Sequence, residues 1–285
     1  MLDIWTGLIF VAIVFVAIVL LTQRVSTLVS GTTRSLIGAG ALLFGAAYVV
    51  YAQNDVRLAR YLPFSNLLVV GNAVPYFAAV IVGLVGAEPR LSIPRRIVAT
   101  TALAFISTYA TVKPLLGVVP ACKNDWNGDV CMQTTRYTCS AACAASLLRS
   151  VDVNTTEQEM AGLCFSDQGT NWTGLYRGLS LKTADSNYRV ETFVAELSDL
   201  AEMNCRQIPV ILTVRLTPGV AAADSRYQKD WGWVPGLSHS VLFYGFIDDE
   251  HVSIGDPSIG REQWTVADLD LLWQRSGVRL IPAHQ

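Results

Sequence analysis

The spacing of hydrophobic residues changes near residue 120. Before that point apolar residues come in long runs, and after it they come in short blocks separated by polar and turn residues. A run of about 20 apolar residues is long enough to cross the hydrocarbon core of a bilayer as a helix. The pattern therefore predicts a transmembrane region over residues 1–120 and a folded domain over residues 121–285.

Four apolar runs predict four transmembrane helices, which makes the first region all-α. They cover Leu2–Thr22, Ser35–Ala52, Asn66–Gly86 and Ile97 to roughly Gly117. Asn72 and Pro75 interrupt the third run. No charged residue lies in the middle of a run, so the pattern favours a packed helical anchor over an ion or proton pathway.

The charges differ between the two regions and predict an orientation. Of 21 basic and 23 acidic residues, eight basic and three acidic lie up to Pro120, which leaves 13 and 20 beyond it. Arginines in short loops tend to stay in the cytoplasm. Two of the predicted loops share five of them, Arg24, Arg34, Arg90, Arg95 and Arg96, whereas the loop between the second and third helices holds Arg57 and Arg60. This count predicts an integral protein of the cytoplasmic membrane with its folded domain on the outer face.

Shorter patterns in the second region predict helices first and strands afterwards. Cys139–Arg149 is alanine-rich, and Thr156 and Glu159 have the spacing of a capping box at the start of a second helix. Further helices are predicted in NWTGLYRGLSLK, ELSDLAEMNC and ADLDLLWQR. Blocks rich in Val, Ile, Phe and Tyr predict five strands, YRVETFV, IPVILTVRL, HSVLFYGFI, HVSIGDP and VRLIPA. Helices packed on an antiparallel sheet give an α+β domain.

A cysteine at the start of the first of these helices is a candidate nucleophile. The stretch QTTRYTCSAACAASLLR, residues 133–149, places Cys139 at a helix N-terminus. Such a position and a neighbouring imidazole lower the pKa of a thiol from about 8.5 towards roughly 3.5–7.5. Catalysis by a thiolate also needs a base, a group that orients the base, and donors for the oxyanion. Gln133 and the backbone N–H of Cys139 are candidates for the oxyanion donors.

Three histidines could supply the base. His284 lies in the C-terminal tail, His251 follows the acidic turn DDE, and His239 begins a strand. A turn at Asp248–Glu250 would place His239 opposite about residue 258 of the next strand, within ~2 residues of Asp256. An acid beside an imidazole on adjacent strands is the arrangement that orients a catalytic base.

Together these motifs resemble the papain-like cysteine peptidases, and within them the bacteriocin-processing, double-glycine leader peptidases. The similarity runs from residue 132 to roughly residue 281 and includes GTNWTGLYRGL, SHSVLFYGF and GDPSIG. It implies a papain-like fold with Cys139 as nucleophile, His239 as general base, Asp256 as orienting acid and Gln133 as oxyanion donor. It further implies a thiol-dependent bacterial peptidase that hydrolyses peptide bonds of a peptide or protein, such as a leader or precursor peptide.

Three features differ from the family pattern. TCS stands at the nucleophile, where many members have Asp-Cys-Gly. In exporters of the family the peptidase precedes the membrane helices and lies in the cytosol, whereas here it follows them and the charges place it outside. The sequence also contains no GxxxxGK[ST] phosphate loop, so any exporter would be a separate partner.

Other functions fit the same residues. A papain-like transferase or amidase would use the same thiolate with another acceptor or another amide. A non-catalytic domain would bind a peptide and assist a partner exporter. No cofactor and no metal are expected, because a zinc site of Cys139, Cys143 and His239 would lack paired close spacings on two elements. The acidic second region also argues against a nucleic-acid partner.

Six cysteines leave the role of Cys139 open between a nucleophile and a structural thiol or disulfide. In an oxidising compartment Cys122–Cys131 and Cys164–Cys205 are candidate disulfides, and Cys143 would remain free on the same helix face as Cys139. An aromatic segment, YQKDWGWVPG, precedes His239. Its Trp231 and Trp233 would form either one wall of a substrate cleft or a cover over an edge of the sheet.

Overall fold

A computed structural model describes residues 1–53, 55–203 and 208–283. The chain divides into two units. The first contains Met1–Asp55 and Asn66–Leu116, and the second contains Val56–Ser65 and Gly117–Gln285. Long helices build the first unit, and the second is rich in strands. The boundary after residue 120 between a transmembrane region and a peptidase domain stays a prediction.

The first unit consists of apolar helices joined by short turns. The helices up to residue 116 are α1 (Leu2–Leu28), α2 (Gly31–Ala47), α3 (Leu58–Tyr61, which belongs to the second unit), α4 (Leu67–Val70), α5 (Val74–Gly86) and α6 (Ile93–Val112). A π-helical segment, Tyr48–Ala52, extends α2, and a 3-10 turn, Lys113–Leu115, follows α6.

Among the described residues, three helical stretches are long and apolar enough to cross a membrane: Leu2–Leu28, Gly31–Ala52 and Leu67–Gly86. They correspond to the first three predicted runs. The predicted interruption of the third is confirmed, because α4 and α5 are separate and Asn72 lies between them. Asn72 Oδ1 accepts the Val74 N–H at 3.1 Å, and its Nδ2 donates to Ala110 O at 3.2 Å.

The fourth predicted run forms a helix, α6, whose boundaries differ from the predicted ones and which is less apolar than the first three. It has 20 residues but is not among the three apolar stretches. Arg95 and Arg96 lie in its first turn, and Ser107 and Thr111 are buried within the unit. A fourth membrane span therefore stays a prediction.

The second unit is built on a six-stranded antiparallel sheet, preceded by a small hairpin of β1 (Trp126–Asn127) and β2 (Val130–Cys131). The large sheet has the order β3-β8-β4-β5-β6-β7. Its strands are β3 (Tyr188–Val194), β4 (Val210–Arg215), β5 (Ser238–Phe246), β6 (His251–Asp256), β7 (Gly260–Thr265) and β8 (Trp273–Pro282).

Helices cover both faces of this sheet, so the predicted α+β architecture is confirmed. The helices are α7 (Cys139–Arg149), α8 (Glu157–Leu163), α9 (Trp172–Thr183), α10 (Asp199–Met203), α11 (Pro218–Ala223), α12 (Arg226–Lys229) and α13 (Val266–Leu272). Successive strand residues point to opposite faces. Ile211 and Leu242 accordingly pack into one core with α7, α8 and α9, whereas Leu212 and Val241 join a second core with α10 to α13.

Several predicted elements differ from the structure. The last strand begins at Trp273, inside the predicted helix ADLDLLWQR and several residues before the predicted VRLIPA block. The strands β1, β2 and β7 and the helices α11 and α12 were not predicted. Strand β7 lies at the edge of the sheet and buries only Gly260 and Trp264, so its sequence lacks the apolar block that signals a strand. The capping box is half formed, because the Thr156 hydroxyl accepts the Glu159 N–H while the Glu159 carboxylate binds Lys182.

Candidate active site

Cys139 is the first residue of α7, a helix that is buried along almost its whole length. Every residue from Cys139 to Leu148 is buried. Small side chains make this possible, since four alanines and two serines let the sheet and the neighbouring helices approach α7 closely. The Cys139 side chain is 8% exposed and lies where the N–H groups of the first turn favour a negative charge.

His239 lies on β5 beside the end of β6. The two strands pair Leu242 with Gly255 and Phe243 with Ile254, and the same register extended beyond the last pair would set His239 opposite residue 258. His239 Nε2 lies 2.9 Å from Asp256 Oδ1. The predicted proximity of the imidazole and the acid is therefore confirmed, and it follows from the hairpin register alone.

Asp256 is the last residue of β6 and is fully buried. Its Oδ1 accepts hydrogen bonds from His239 Nε2 at 2.9 Å and from the Ser258 N–H at 2.7 Å, and its Oδ2 accepts one from Trp233 Nε1 at 2.9 Å. Burial raises the pKa of the Asp256 carboxyl, but the charge of His239 and these donors outweigh burial and leave the pKa below its usual value. Asp256 is thus a carboxylate that fixes the imidazole in place.

The pKa values of Cys139 and His239 shift in opposite directions. Burial lowers the pKa of His239, but the charge of Asp256, the hydrogen bond to it and the contact with Cys139 raise it to about 10. Burial raises the pKa of the Cys139 thiol, but the hydrogen bond and charge of His239 leave it lowered. Because Nε2 binds Asp256, Nδ1 is the ring nitrogen left for Cys139. The geometry favours a thiolate–imidazolium pair.

Two serines that the sequence analysis did not single out join α7 to β5. The hydroxyls of Ser140 and Ser240 lie 2.8 Å apart, and the Cys143 thiol donates to the Ser240 carbonyl at 3.2 Å. Ser240 directly follows His239, so these contacts hold the cysteine and histidine segments together. The Ser240 N–H and the Ser140 hydroxyl also favour the Cys139 thiolate. Burial raises the pKa of Cys143 well above its usual value, which leaves Cys143 an unreactive thiol.

Gln133 lies beside the same strand end. Its backbone N–H donates to Pro257 O at 2.8 Å, directly after Asp256 in the chain. Its side-chain Oε1 is buried and has no hydrogen-bond partner among the described residues. The structure therefore brings Gln133 next to the segment that carries the acid.

The aromatic segment was predicted to form either a wall of a substrate cleft or a cover over a sheet edge, and Trp233 instead packs against the proposed catalytic residues. It is 6% exposed, and its ring centroid lies 5.0 Å from that of His239 while its Nε1–H binds Asp256. Trp231 stacks on Trp264 at 4.8 Å and packs beside Trp233. The segment thus covers the His239–Asp256 pair with an aromatic layer. The pattern WGW gave no indication of an indole hydrogen bond to the acid.

The remaining candidates of the sequence analysis fall outside this cluster. His251 binds Asp248 at the surface hairpin, and His284 lies outside the described residues. Cys122 and Cys131 are free thiols, so the first suggested disulfide is wrong, since both thiols lie beside the Glu157 carboxylate. Cys164 is also a free thiol, and its suggested partner Cys205 lies outside the described residues.

The zinc alternative finds no support in the geometry. His239 Nε2 is engaged by Asp256, and the Cys143 thiol by the Ser240 carbonyl. Over residues 1–53, 55–203 and 208–283, no three His, Cys, Asp or Glu side chains are arranged to hold a metal ion.

No protein-family model matches the chain, and no curated protein matches it. Solved structures do. One is the peptidase domain of Streptococcus ComA, a bifunctional ABC transporter involved in a quorum-sensing pathway. It is 18% identical to this chain, with a TM-score of 0.41, and the match covers 54% of this chain and 97% of that domain. The peptidase domain of Streptococcus mutans ComA is also 18% identical, with a TM-score of 0.35 and coverage of 54% and 99%.

A third similar structure is a double-glycine motif protease from an AMS/PCAT transporter, solved in complex with its leader peptide. It is 16% identical, with a TM-score of 0.41 and coverage of 58% of this chain and 97% of that chain. All three are peptidases. They are the class of protein that the sequence resemblance named.

Proposed function

We propose that this chain is a membrane-anchored cysteine peptidase that hydrolyses peptide bonds through Cys139, His239 and Asp256. The observation that carries the proposal is the buried line from the helix-start thiol to the imidazole and on to the carboxylate, with His239 Nε2 and Asp256 Oδ1 2.9 Å apart. A protein that only bound peptides would have no need for a cysteine whose pKa is lowered in a buried position.

The mechanism follows from these positions. The Cys139 thiolate attacks the carbonyl carbon of the scissile bond, and negative charge moves to the carbonyl oxygen. The Gln133 side-chain amide and the Cys139 backbone N–H stabilise that oxyanion. The imidazolium of His239 protonates the leaving amine, which departs and leaves a thioester on Cys139. His239, now neutral, takes a proton from water as the water attacks the thioester carbonyl. The C–S bond then breaks, which releases the product as a carboxylic acid and restores the Cys139 thiolate beside the His239 imidazolium. Asp256 keeps the ring oriented throughout.

The substrate class is a peptide or protein, and a leader or precursor peptide is the specific proposal. Support comes from the resemblance carried by Gln133, Cys139, His239 and the GDPSIG stretch. The similar double-glycine motif protease was solved in complex with the leader peptide. The peptidase domain of Streptococcus ComA belongs to an ABC transporter, and an exporter is the partner that fits this role.

We also propose four membrane spans, with the peptidase domain on the outer face of a bacterial cytoplasmic membrane. Support comes from the short segment Val56–Ser65, which connects the second and third spans yet belongs to the sheet-rich unit. Thr192 of β3 donates to Val56 O at 2.7 Å, and Arg60 Nε donates to Thr192 O at 3.4 Å. A loop that contacts the sheet lies on the same side of the membrane as the sheet. The chain must then cross an even number of times between them, so α6 crosses as well as α4–α5.

The catalytic proposal is tested by the pH dependence of Cys139 alkylation, read by mass spectrometry in wild type and in His239→Ala. Because the pKa of Cys139 is lowered by His239, we expect rapid labelling well below the usual thiol pKa of about 8.5. Labelling should collapse in His239→Ala, because the hydrogen bond and charge of the imidazole no longer oppose the effect of burial on the thiol. Wild-type labelling that rises only near pH 8.5 would refute the peptidase. Labelling that depends on His239 in a protein that transfers acyl groups instead of cleaving peptides would indicate the transferase or amidase.

The topology is tested by two reporters, one fused after Gln285 and one inserted next to Asp55. We expect both to report the outer face, because the segment after Asp55 contacts the sheet. Reporters on opposite faces would refute a membrane-spanning α6. Both reporters in the cytosol would retain four spans and reverse the orientation predicted from the arginines.

A further inference from the structure

A buried carboxylate lies behind the segment that carries Gln133. Glu157 is the first residue of α8 and is fully buried. Its Oε1 accepts the backbone N–H of Thr134 at 2.6 Å, and its Oε2 accepts the Thr134 hydroxyl at 2.6 Å. Burying a carboxylate is strongly unfavourable unless donors such as these compensate it. The catalytic steps described above make no use of Glu157.

These two hydrogen bonds act on the residue next to the proposed oxyanion donor. Gln133 and Thr134 are neighbours, and their two successive N–H groups are tied to different elements. The Gln133 N–H donates to Pro257 O, and the Thr134 N–H donates to Glu157. The Gln133 side-chain Oε1 has no hydrogen-bond partner among the described residues. These two bonds hold the backbone from which the Gln133 side-chain amide extends.

The first turn of α8 also contacts residues 122–124, which lie before the β1–β2 hairpin. The Thr134 hydroxyl that binds Glu157 also accepts the Lys123 N–H at 2.7 Å. Gln158 accepts the Cys122 N–H on its Oε1 at 2.7 Å, and its own N–H donates to Asn124 at 2.9 Å. Glu157 is thus the one carboxylate, among these described contacts, that joins α8 to the residue after Gln133.

We propose that Glu157 is a positioning residue for the oxyanion donor: by holding Thr134, it directs the Gln133 side-chain amide to the place where negative charge develops. The inference rests on the proposed peptidase function and adds a residue that acts through Gln133. A displacement of a donor by a fraction of an ångström weakens stabilisation of the transition state, because the hydrogen bond must reach the oxyanion itself.

Two reactions of Cys139 separate this role from general damage to the site. Iodoacetamide alkylates the thiolate by displacing iodide from a saturated carbon, so no oxyanion forms. p-Nitrophenyl acetate acylates it through a tetrahedral oxyanion, after which the bond to p-nitrophenolate breaks and an acetyl thioester remains. Both products are read at Cys139 by mass spectrometry of the purified full chain, so the other cysteines do not interfere.

We expect Glu157→Gln to slow acylation ~10-fold and Gln133→Ala to slow it ~100-fold, while alkylation changes in neither, since loss of one oxyanion donor costs about 10²–10³-fold. The double variant should acylate no more slowly than Gln133→Ala alone, because Glu157 acts through Gln133. Glu159→Gln, an exposed neighbour on α8, should match wild type. Multiplying effects in the double variant, or unchanged acylation in Glu157→Gln, would overturn the positioning role.

A folding defect in Glu157→Gln would show as altered alkylation of Cys139, and Thr134→Val then takes its place. This variant keeps the shape of the side chain and the Thr134 N–H bond to Glu157, and it removes the two hydrogen bonds of the hydroxyl, one to Glu157 and one from the Lys123 N–H. We expect it to slow acylation ~3-fold with alkylation unchanged, and unchanged acylation would again overturn the role. Slow alkylation of the wild type would refute the peptidase itself, whereas fast alkylation with normal acylation in the variants would refute Glu157 alone.

Discussion

The first unit, here called the helical unit, and the second unit, called the sheet domain, place apolar side chains in opposite ways. In α1 and α2 large apolar residues face outward, with Ile13, Leu20 and Phe44 at 64%, 60% and 70% exposure. In β5 the apolar residues Val241 and Phe243 are fully buried. Exposure of these side chains to water would be unfavourable, because the hydrophobic effect favours burial of apolar surface. This exposed apolar surface supports the proposed membrane anchor, whereas the sheet domain buries its own core.

The same contrast applies to the buried polar residues. In the helical unit these are small groups such as Ser107 and Thr111, and the Thr111 hydroxyl donates to the Ser107 carbonyl of its own helix. In the sheet domain they include the carboxylates Asp256 and Glu157, each held by two or more donors. Packing explains the first group, whereas buried charges are expensive enough to suggest a function. The chemistry is therefore expected in the sheet domain alone.

The strongest way to break this comparison is to remove the reactive thiol and its neighbour separately. Cys139→Ala should lower hydrolysis of a peptide or p-nitrophenyl ester ~10⁴-fold or more, because a missing nucleophile removes the covalent route. Cys143→Ala, one helical turn away, should retain activity within ~3-fold, because Cys143 contributes one hydrogen bond to Ser240. Steady-state hydrolysis by the purified variants measures both. Equal losses in the two variants would mean that α7 is only a scaffold.

An exposed apolar residue in each unit tests the difference in solvent. Ile13→Asp puts a charge in the middle of α1 and should disfavour membrane insertion by ~3 kcal/mol if lipid surrounds the helix. Leu271→Asp changes an exposed leucine of the sheet domain, at 54% exposure on α13, and should alter stability by less than ~0.5 kcal/mol in water. Membrane fractionation and thermal unfolding measure the two effects. A wild-type distribution for Ile13→Asp would place that face in water and refute the proposed anchor.

How far the sequence predicted each region follows from the kind of signal involved. Long apolar runs specify a helix by length alone, so α1 and α2 were predicted close to their observed positions. The fourth run was harder to interpret, because α6 begins with Arg95 and Arg96 and is less apolar. In the sheet domain, local pattern predicted α7 to the residue, and hairpin register predicted the His239–Asp256 contact.

Contacts between distant segments could not be predicted in this way. Trp233 reaches Asp256 through a loop whose path no local rule specifies, and Glu157 reaches Thr134 from the start of another helix. The edge strand β7 was missed because its residues alternate around a single buried tryptophan, Trp264. Disulfides were suggested from cysteine count, whereas the packing puts Cys122 and Cys131 beside a carboxylate that favours the protonated thiols.

The smallest expected effect concerns one hydrogen bond to a buried charge of the sheet domain, the bond from Trp233 to Asp256. Trp233→Phe keeps an aromatic ring against His239 but leaves Asp256 Oδ2 without its indole donor. An unsatisfied buried acceptor costs about 1–3 kcal/mol, so the free energy of unfolding of the sheet domain should fall by about that amount. Trp231→Phe is the control, since Trp231 contributes ring stacking on Trp264, and we expect a smaller loss. Denaturant unfolding measures both variants. If the two losses are equal, the aromatic layer stabilises the domain by packing alone, and the buried acid keeps its geometry without the indole.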